Sequence, residues 1–372
     1  MQFLIHQQMN IVSAAVLLLF GVYAFSMLDK KSSVNKIYLA SLFLNLLLIS
    51  LDMLMNFLTG PENIPLLYSR GAGILLYLLT PVFAYLFLKF VCFYISGAVK
   101  IKKIRKRIFP ALIALNSMIT FFVLRTKDFK TYDISEYRIP FMVTLGIMIY
   151  CVYIIIKNRK LLLSFEYSYI IVMSMITSVM VLSQIIFHHT LFIWYSLTLT
   201  IILMYIVLQQ RELYRDSLTG ARNRLVLKKC FEMFSKKPDS KLSAVMIDLD
   251  YFKNINDSYG HAEGDKALQA FVKLLHKVYR EKGIVIRMGG DEFLVLLNNI
   301  LPAELDQLVL KMEKIVERYN AKGDKPYRIK YSCACGTYKK DMDFEQFLHE
   351  VDIKMYHDKL GRKNKLLSLD HL

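Results

Sequence analysis

The sequence predicts a chain in two parts: an α-helical bundle of seven membrane spans, then a cytoplasmic α/β (α+β) domain with helices packed on one sheet. Three observations carry this prediction. Seven apolar stretches fill the chain up to about residue 209, each close to the roughly 20 residues a helix needs to cross a bilayer. From Asp216 the charges become interspersed, and strand-like and helix-like patterns alternate. Between two short apolar runs, Ile284–Ile286 and Phe293–Leu297, stand Gly289, Gly290, Asp291 and Glu292, which read as the turn of a hairpin.

Composition agrees. Hydrophobic residues make up 55% of the 372, and the mean hydropathy is +0.36, too apolar for an ordinary soluble protein. The net charge of +17 is spread as loop charge rather than as a nucleic-acid surface, so no nucleic-acid partner is expected. Five cysteines (Cys92, Cys151, Cys230, Cys333 and Cys335) lack metal-ligand spacing and read as reduced structural thiols. No cleavable signal peptide is expected, because the first residues carry no basic cluster and the first apolar run is too long.

The spans are placed at Asn10–Leu28, Ile37–Leu58, Ala72–Ile95, Ile108–Leu124, Pro140–Ile156, Ser168–Phe187 and Leu191–Leu208. Connections one, three and five are basic: Lys30, Lys31 and Lys36; Lys100 through Arg107; Lys157, Arg159 and Lys160. Basic loops stay in the cytoplasm, so the N-terminus is expected outside and the C-terminal domain inside, in a multi-pass protein of the cell membrane. The run Lys100–Arg107 needs no role beyond this topology signal and contact with anionic lipid. Asp52, with Asn45 and Asn56 nearby, puts a carboxylate inside a span, and Asn116, Gln184, His188 and His189 are further polar groups. Two readings stand side by side: a pocket for an extracellular or intramembrane ligand or a proton, or hydrogen bonds that only hold the bundle together. The last span reads as one helix continuing through Gln209 to Asp216, so the divisions are 1–209, a connecting helix 210–216, and 217–372.

In the soluble part, residues 222–235 suit a helix, Leu242–Asp248 a strand, and His261–Lys282 a helix. The hairpin follows, then a helix at Pro302–Tyr319, a strand at Tyr327–Thr337, a helix at Phe344–Asp358 and a last strand at Leu366–Leu369. Alternation puts Asp248 and Asp250 on one face of their strand and Leu249 on the other. If that strand lies beside the hairpin, Asp248 and Asp291 meet at the sheet end. Two carboxylates and a main-chain carbonyl make a hard oxygen site suited to Mg²⁺ with substrate phosphates. The segment Tyr251–Asn256 turns into a helix whose first N–H groups can cradle phosphate. Asn256 and Asp265 offer an amide and a carboxylate that suit a guanine edge. Lys359 and Lys363 lie one helical turn apart, able to neutralise a triphosphate.

These residues carry a resemblance. From Asp216 onward the chain resembles the GGDEF-domain diguanylate cyclases in four ordered blocks: Asp216 through Arg224, with Ala221 where Leu is usual; Asp248 through Asp257 with Gly260, His261, Gly264 and Asp265; Arg287 through Phe293; and Met355, Tyr356 and Lys359. The resemblance implies a palm-like fold that condenses two GTP into cyclic di-GMP and two pyrophosphates at the bacterial inner membrane. It implies a homodimer, since each protomer would bind one GTP. It implies two Mg²⁺ per site on Asp248, the Leu249 carbonyl and Asp291, with Asp291 or Glu292 taking the hydroxyl proton. Substrate would be held by Phe252, Lys253, Asn256, Asp265, Gly289, Gly290, Lys359 and Lys363. Arg287 either contacts substrate or stabilises the hairpin, Asp250 either serves the site or anchors a neighbour, and His261 reads as a turn or packing residue.

Two departures stand out. Many members carry an Arg-x-x-Asp product-inhibition motif upstream of the signature; here the stretch is Arg280-Glu281-Lys282-Gly283. With Gly in place of the acid, no strong feedback through that site is expected. The closing Lys359-Leu360-Gly361-Arg362-Lys363-Asn364 is one residue shorter than the usual pattern, which leaves Lys363, or Arg362 instead, at the basic position. Besides a membrane-bound synthase, a receptor for GTP or cyclic di-GMP without turnover is an alternative. A transporter regulated by its soluble domain ranks last, as no repeat is evident. The stimulus and its sign are not legible.

Overall fold

The computed structural model describes residues 2–30, 32–58, 66–96, 109–118, 138–159, 162–186, 193–235, 241–339 and 342–369. The chain divides into two compact units, Met1–Gln209 and Gln210–Leu372.

Helices of the first unit are α1 (Gln2–Met27), α2 (Ser33–Leu58), α3 (Leu66–Ser96), α4 (Phe109–Met118), α5 (Arg138–Lys157), α6 (Ser164–Ile186) and α7 (Ile193–Leu213). Among the described residues, six are long and apolar enough to cross a membrane. Of the span expected at 108–124 only α4 is described, a short apolar helix. The basic run at 100–107 and the pair His188 and His189 lie outside the described residues, as does the side chain of Asn56.

Large apolar side chains such as Leu19, Val22 and Met118 are exposed here, while buried polar groups pair across helices. Asn10 Nδ2 donates to Asp52 Oδ2 (2.7 Å), joining α1 to α2. Asn45 Nδ2 donates to Thr198 Oγ1 (3.3 Å), joining α2 to α7, and the hydroxyls of Thr177 and Thr200 meet at 2.6 Å between α6 and α7. Buried Glu166 accepts from the Tyr94 hydroxyl (2.9 Å) and from the backbone N–H of Leu163 (3.0 Å). The second of these is a carboxylate in the first turn reaching back to the helix start, half of a capping box.

The second unit contains β1 (Arg222–Asn223), α8 (Leu227–Ser235), β2 (Leu242–Asp250), α9 (Phe252–Tyr259), α10 (His261–Tyr279), β3 (Gly283–Gly289), β4 (Glu292–Asn298), α11 (Pro302–Asn320), β5 (Lys330–Thr337) and α12 (Phe344–Leu369). The sheet order is β1-β3-β4-β2-β5, with β1 parallel to β3 and the other pairs antiparallel. Val245, Ile247 and Leu249 of β2 join one core with Phe271, Leu275 and Met312 of α10 and α11. Asp248, on the alternate face, meets Lys359 of α12. That helix comes so close to β5 that a Cβ on Gly336 would strike Val351.

Three expectations are corrected. The last long apolar helix stops at Leu213, not Asp216. Asn223 Nδ2 takes the Leu213 carbonyl (2.8 Å) and the Asn223 amide takes that of Tyr214, so a residue ten positions on terminates the helix. Residues 222–226 form a two-residue strand and a single 3₁₀ turn, because Arg222 and Asn223 pair with β3, and helix begins only at Leu227. Finally, 366–369 continue α12 rather than forming a strand.

Candidate active site at the strand ends

The site grows from the register of β2 against β4. Asp248 stands directly opposite Glu292, two residues past the hairpin glycines. Asp291 leaves the ladder at the turn, yet its carbonyl accepts from the Leu249 amide (3.3 Å), so the hairpin tip closes onto the end of β2. Neighbouring strands run about 4.8 Å apart, which sets Asp248 beside Glu292, and Asp291 lies near enough to feel the charge of Asp248. Asp248 and Asp291 are thus brought together as expected, with Glu292 rather than Asp291 as the register partner.

The hairpin turn depends on its glycines in two ways. Gly290 has φ +44°, a left-handed conformation that side chains disfavour. A Cβ on Gly289 would meet nothing within 4 Å, so open space lies beside the backbone there. Arg287 fixes the tip from behind: its Nε and Nη2 donate to the Gly290 carbonyl (3.0 and 2.7 Å), and Nη1 donates to Asp216 Oδ1 (2.9 Å). Asp216 also accepts from the Thr219 amide and hydroxyl. Burial alone would raise the Asp216 carboxyl, but the two Thr219 bonds and Arg287 hold it below the ordinary range. The segment leaving α7 is therefore wired to the hairpin tip through one guanidinium.

The acids are held in mutual repulsion. Burial pushes the Asp291 carboxyl above the usual carboxylate range and the charge of Asp248 adds to this, while its own amide, Lys359 and Arg287 oppose. Glu292 is raised by burial, then by Asp248, Asp291 and Asp352. Among the described residues, Lys359 makes the direct ion pair with them: its Nζ lies 2.6 Å from Asp248 Oδ1. Burial alone would lower that lysine's pKa, but the bond to Asp248 and the charges of Asp291 and Asp250 raise it. Asp250 shares the face of Asp248 and accepts from the Ser332 hydroxyl (2.8 Å), which makes it an anchor.

Around this centre, Tyr251 takes φ +59°, a strained conformation for a bulky residue, and turns the chain from β2 into α9. No side chain caps α9. The amides of Phe252 and Lys253 open the helix, where no helical carbonyl can reach them. Asn256 sits over Gly264, where a Cβ would collide with its amide oxygen. Asp265 is exposed in the first turns of α10. Lys363 lies on α12 one turn beyond Lys359, with its side chain outside the description. Sequence reading missed Asp352. It belongs to no motif, but it precedes Lys359 by seven residues on α12 and so shares a helix face with it.

For a divalent cation the donors fit: hard oxygens, negative charge in excess and a lysine drawn in to offset it. Among the described residues, no group of three or more His, Cys, Asp or Glu is placed to hold a metal ion. Mg²⁺ characteristically takes one or two carboxylates and leaves its other positions to phosphate and water. The missing acid of the Arg280 motif has a structural counterpart as well. A Cβ at Gly283 would collide with the Leu296 carbonyl and the Leu297 side chain.

Comparison with known proteins places this unit. Residues 213–365 match the family model described as diguanylate cyclase, GGDEF domain. The probable diguanylate cyclase DgcF of Escherichia coli K12 is 32% identical over 156 residues, 40% of this chain and 50% of that protein. Diguanylate cyclase A of Treponema denticola is 34% identical over 127 residues, 34% of each chain. The chain thus spans half or less of these relatives. A crystal structure of the GGDEF domain of DgcB from Caulobacter crescentus, in complex with c-di-GMP, is 20% identical, covering 40% of this chain and 91% of that one with a TM-score of 0.36.

Proposed function

We propose that this chain, whose residues 213–365 form a GGDEF domain, is a membrane-bound diguanylate cyclase that joins two GTP into cyclic di-GMP. The reading rests on one observation above all: Asp248, Asp291 and Glu292 crowd at one sheet end, beside open space at Gly289, with Lys359 as their shared cation. Six long apolar helices before the domain support membrane attachment. On this reading the bundle has seven spans, with the N-terminus outside, the catalytic domain in the cytoplasm, and a signal received in the membrane.

Asp248, the Leu249 carbonyl and Asp291 would hold two Mg²⁺, which when bound offset phosphate charge and acidify the attacking 3′-hydroxyl. The chain's own residues do the rest. The amides of Phe252 and Lys253 receive phosphate oxygens, and Asn256 and Asp265 read the guanine edge. Lys359 and Lys363 add positive charge at the leaving pyrophosphate. Asp291 or Glu292 takes the proton from the 3′-hydroxyl. The 3′-oxygen forms its bond to the α-phosphorus as the bond to the β-phosphate oxygen breaks. Two domains, each with one GTP, face each other and perform this step twice, so the active form is a homodimer. Arg287 acts by holding the Gly290 carbonyl, which keeps the tip in place.

Full-length protein in lipid vesicles, given GTP and Mg²⁺, is expected to form cyclic di-GMP and pyrophosphate, and Asp291→Ala to form none. Wild-type protein that binds GTP or cyclic di-GMP but yields no product would favour the receptor alternative.

A further inference from the structure

The Asp248 side chain is 9% exposed and that of its partner Lys359 is 43% exposed. A buried carboxylate requires a counter-charge or strong hydrogen-bond donors. Here that charge comes from an ammonium on a flexible stem with nearly half its surface in solvent, 111 residues away in sequence. A divalent cation on the same carboxylate would meet the ammonium at close range, and the two would repel. Resting on the cyclase reading, we propose that Lys359 is the resident counter-cation of Asp248 in the metal-free protein. It yields that carboxylate to a divalent cation only when phosphate gives its ammonium another partner.

Nucleotide and metal loading are then linked. Lys359 disfavours metal in the empty site and favours it once a triphosphate draws the lysine off Asp248. Coupling of this kind is reciprocal and typically shifts affinity 5- to 150-fold. The site would therefore hold little metal without nucleotide, although its acids are in excess. Asp250 adds its charge to the field around the lysine, while its Oδ1 accepts from the Ser332 hydroxyl.

The test is Mn²⁺ titration of the full-length protein in detergent, followed by calorimetry and by the electron spin resonance of free Mn²⁺. Without nucleotide, Lys359→Met is expected to bind Mn²⁺ about tenfold more tightly than wild type. Lys359→Gln gives the same reading should the methionine variant fail to fold, and Lys359→Arg, which keeps the charge, is expected to match wild type. With a non-hydrolysable GTP analogue present, the advantage of the neutral variants disappears. Neutral variants that bind Mn²⁺ no more tightly than wild type overturn the proposal alone. Absence of Mn²⁺ binding in wild type, with and without the analogue, overturns the cyclase reading along with it.

Discussion

In the N-terminal unit the buried acids among the described residues, Asp52 and Glu166, have neutral donors, whereas in the C-terminal unit three acids gather around one lysine. Asp52 accepts from Asn10, and Glu166 accepts from Tyr94 and the Leu163 amide. Asp248, Asp291 and Glu292 repel one another around Lys359. A carboxylate satisfied by neutral donors is finished as a structural element and holds helices together. Carboxylates crowded against like charge store unfavourable energy that an incoming cation relieves. The contrast tilts the two readings of Asp52 towards helix–helix bonding and fits the proposal that chemistry takes place at the strand ends.

The sharpest way to break this comparison is to neutralise one crowded acid. Asp291→Asn is expected to lower turnover by about 10³-fold while leaving the folded protein as stable as wild type or more so. The pH dependence gives the sign. A carboxyl whose folded pKa is raised favours the fold at low pH and loses that contribution as pH rises through the folded value. The stability difference between variant and wild type should therefore be largest at neutral pH and shrink on acidification, as read by thermal unfolding in detergent. A variant that is inactive and also clearly less stable would place Asp291 among the structural acids.

A second test sharpens the lost-feedback argument. Gly283→Asp would complete the Arg280 motif, but its Cβ enters the space of the Leu296 carbonyl and Leu297 at the start of β3. The expected result is destabilisation of about 3 kcal/mol with no gain in product inhibition. Stable protein that acquires tight, Arg280-dependent binding of cyclic di-GMP would show that the hairpin can shift to accept the side chain.

Much of this was legible in the sequence, and the exceptions share a cause. Strands and helices with strong periodicity, such as 242–250 and 261–279, fall where the apolar pattern puts them. The glycine–acid turn needed only local chemistry. The stop at Leu213 was hidden because neither Gly nor Pro makes it; the amide of Asn223 does, after the chain has looped back. Arg222 and Asn223 belong to the sheet through pairing with β3, some 64 residues away. Leu366 and Leu367 look strand-like by content alone, yet no Pro breaks α12 before them. The bond between Lys359 and Asp248 joins β2 to α12 across most of the domain, so sequence could name both residues without pairing them.

The smallest expected effect lies in the N-terminal unit. Asn10→Leu keeps the side chain's size but withdraws the amide from Asp52, leaving a buried carboxylate short of a donor. Loss of one partner from a buried polar pair typically costs about 1–3 kcal/mol, and in membranes such bonds average nearer 0.6 kcal/mol. Unfolding in detergent should move by that lower figure. If Asp52 only joins α1 to α2, Asp52→Leu in the Asn10→Leu background should restore much of the loss, since an apolar pair replaces a polar one. Turnover per folded molecule should stay level across all three proteins. A change in turnover without a change in stability would mean that the carboxylate reports something to the cyclase, and the division between structural and functional acids would then no longer follow the boundary between the two units.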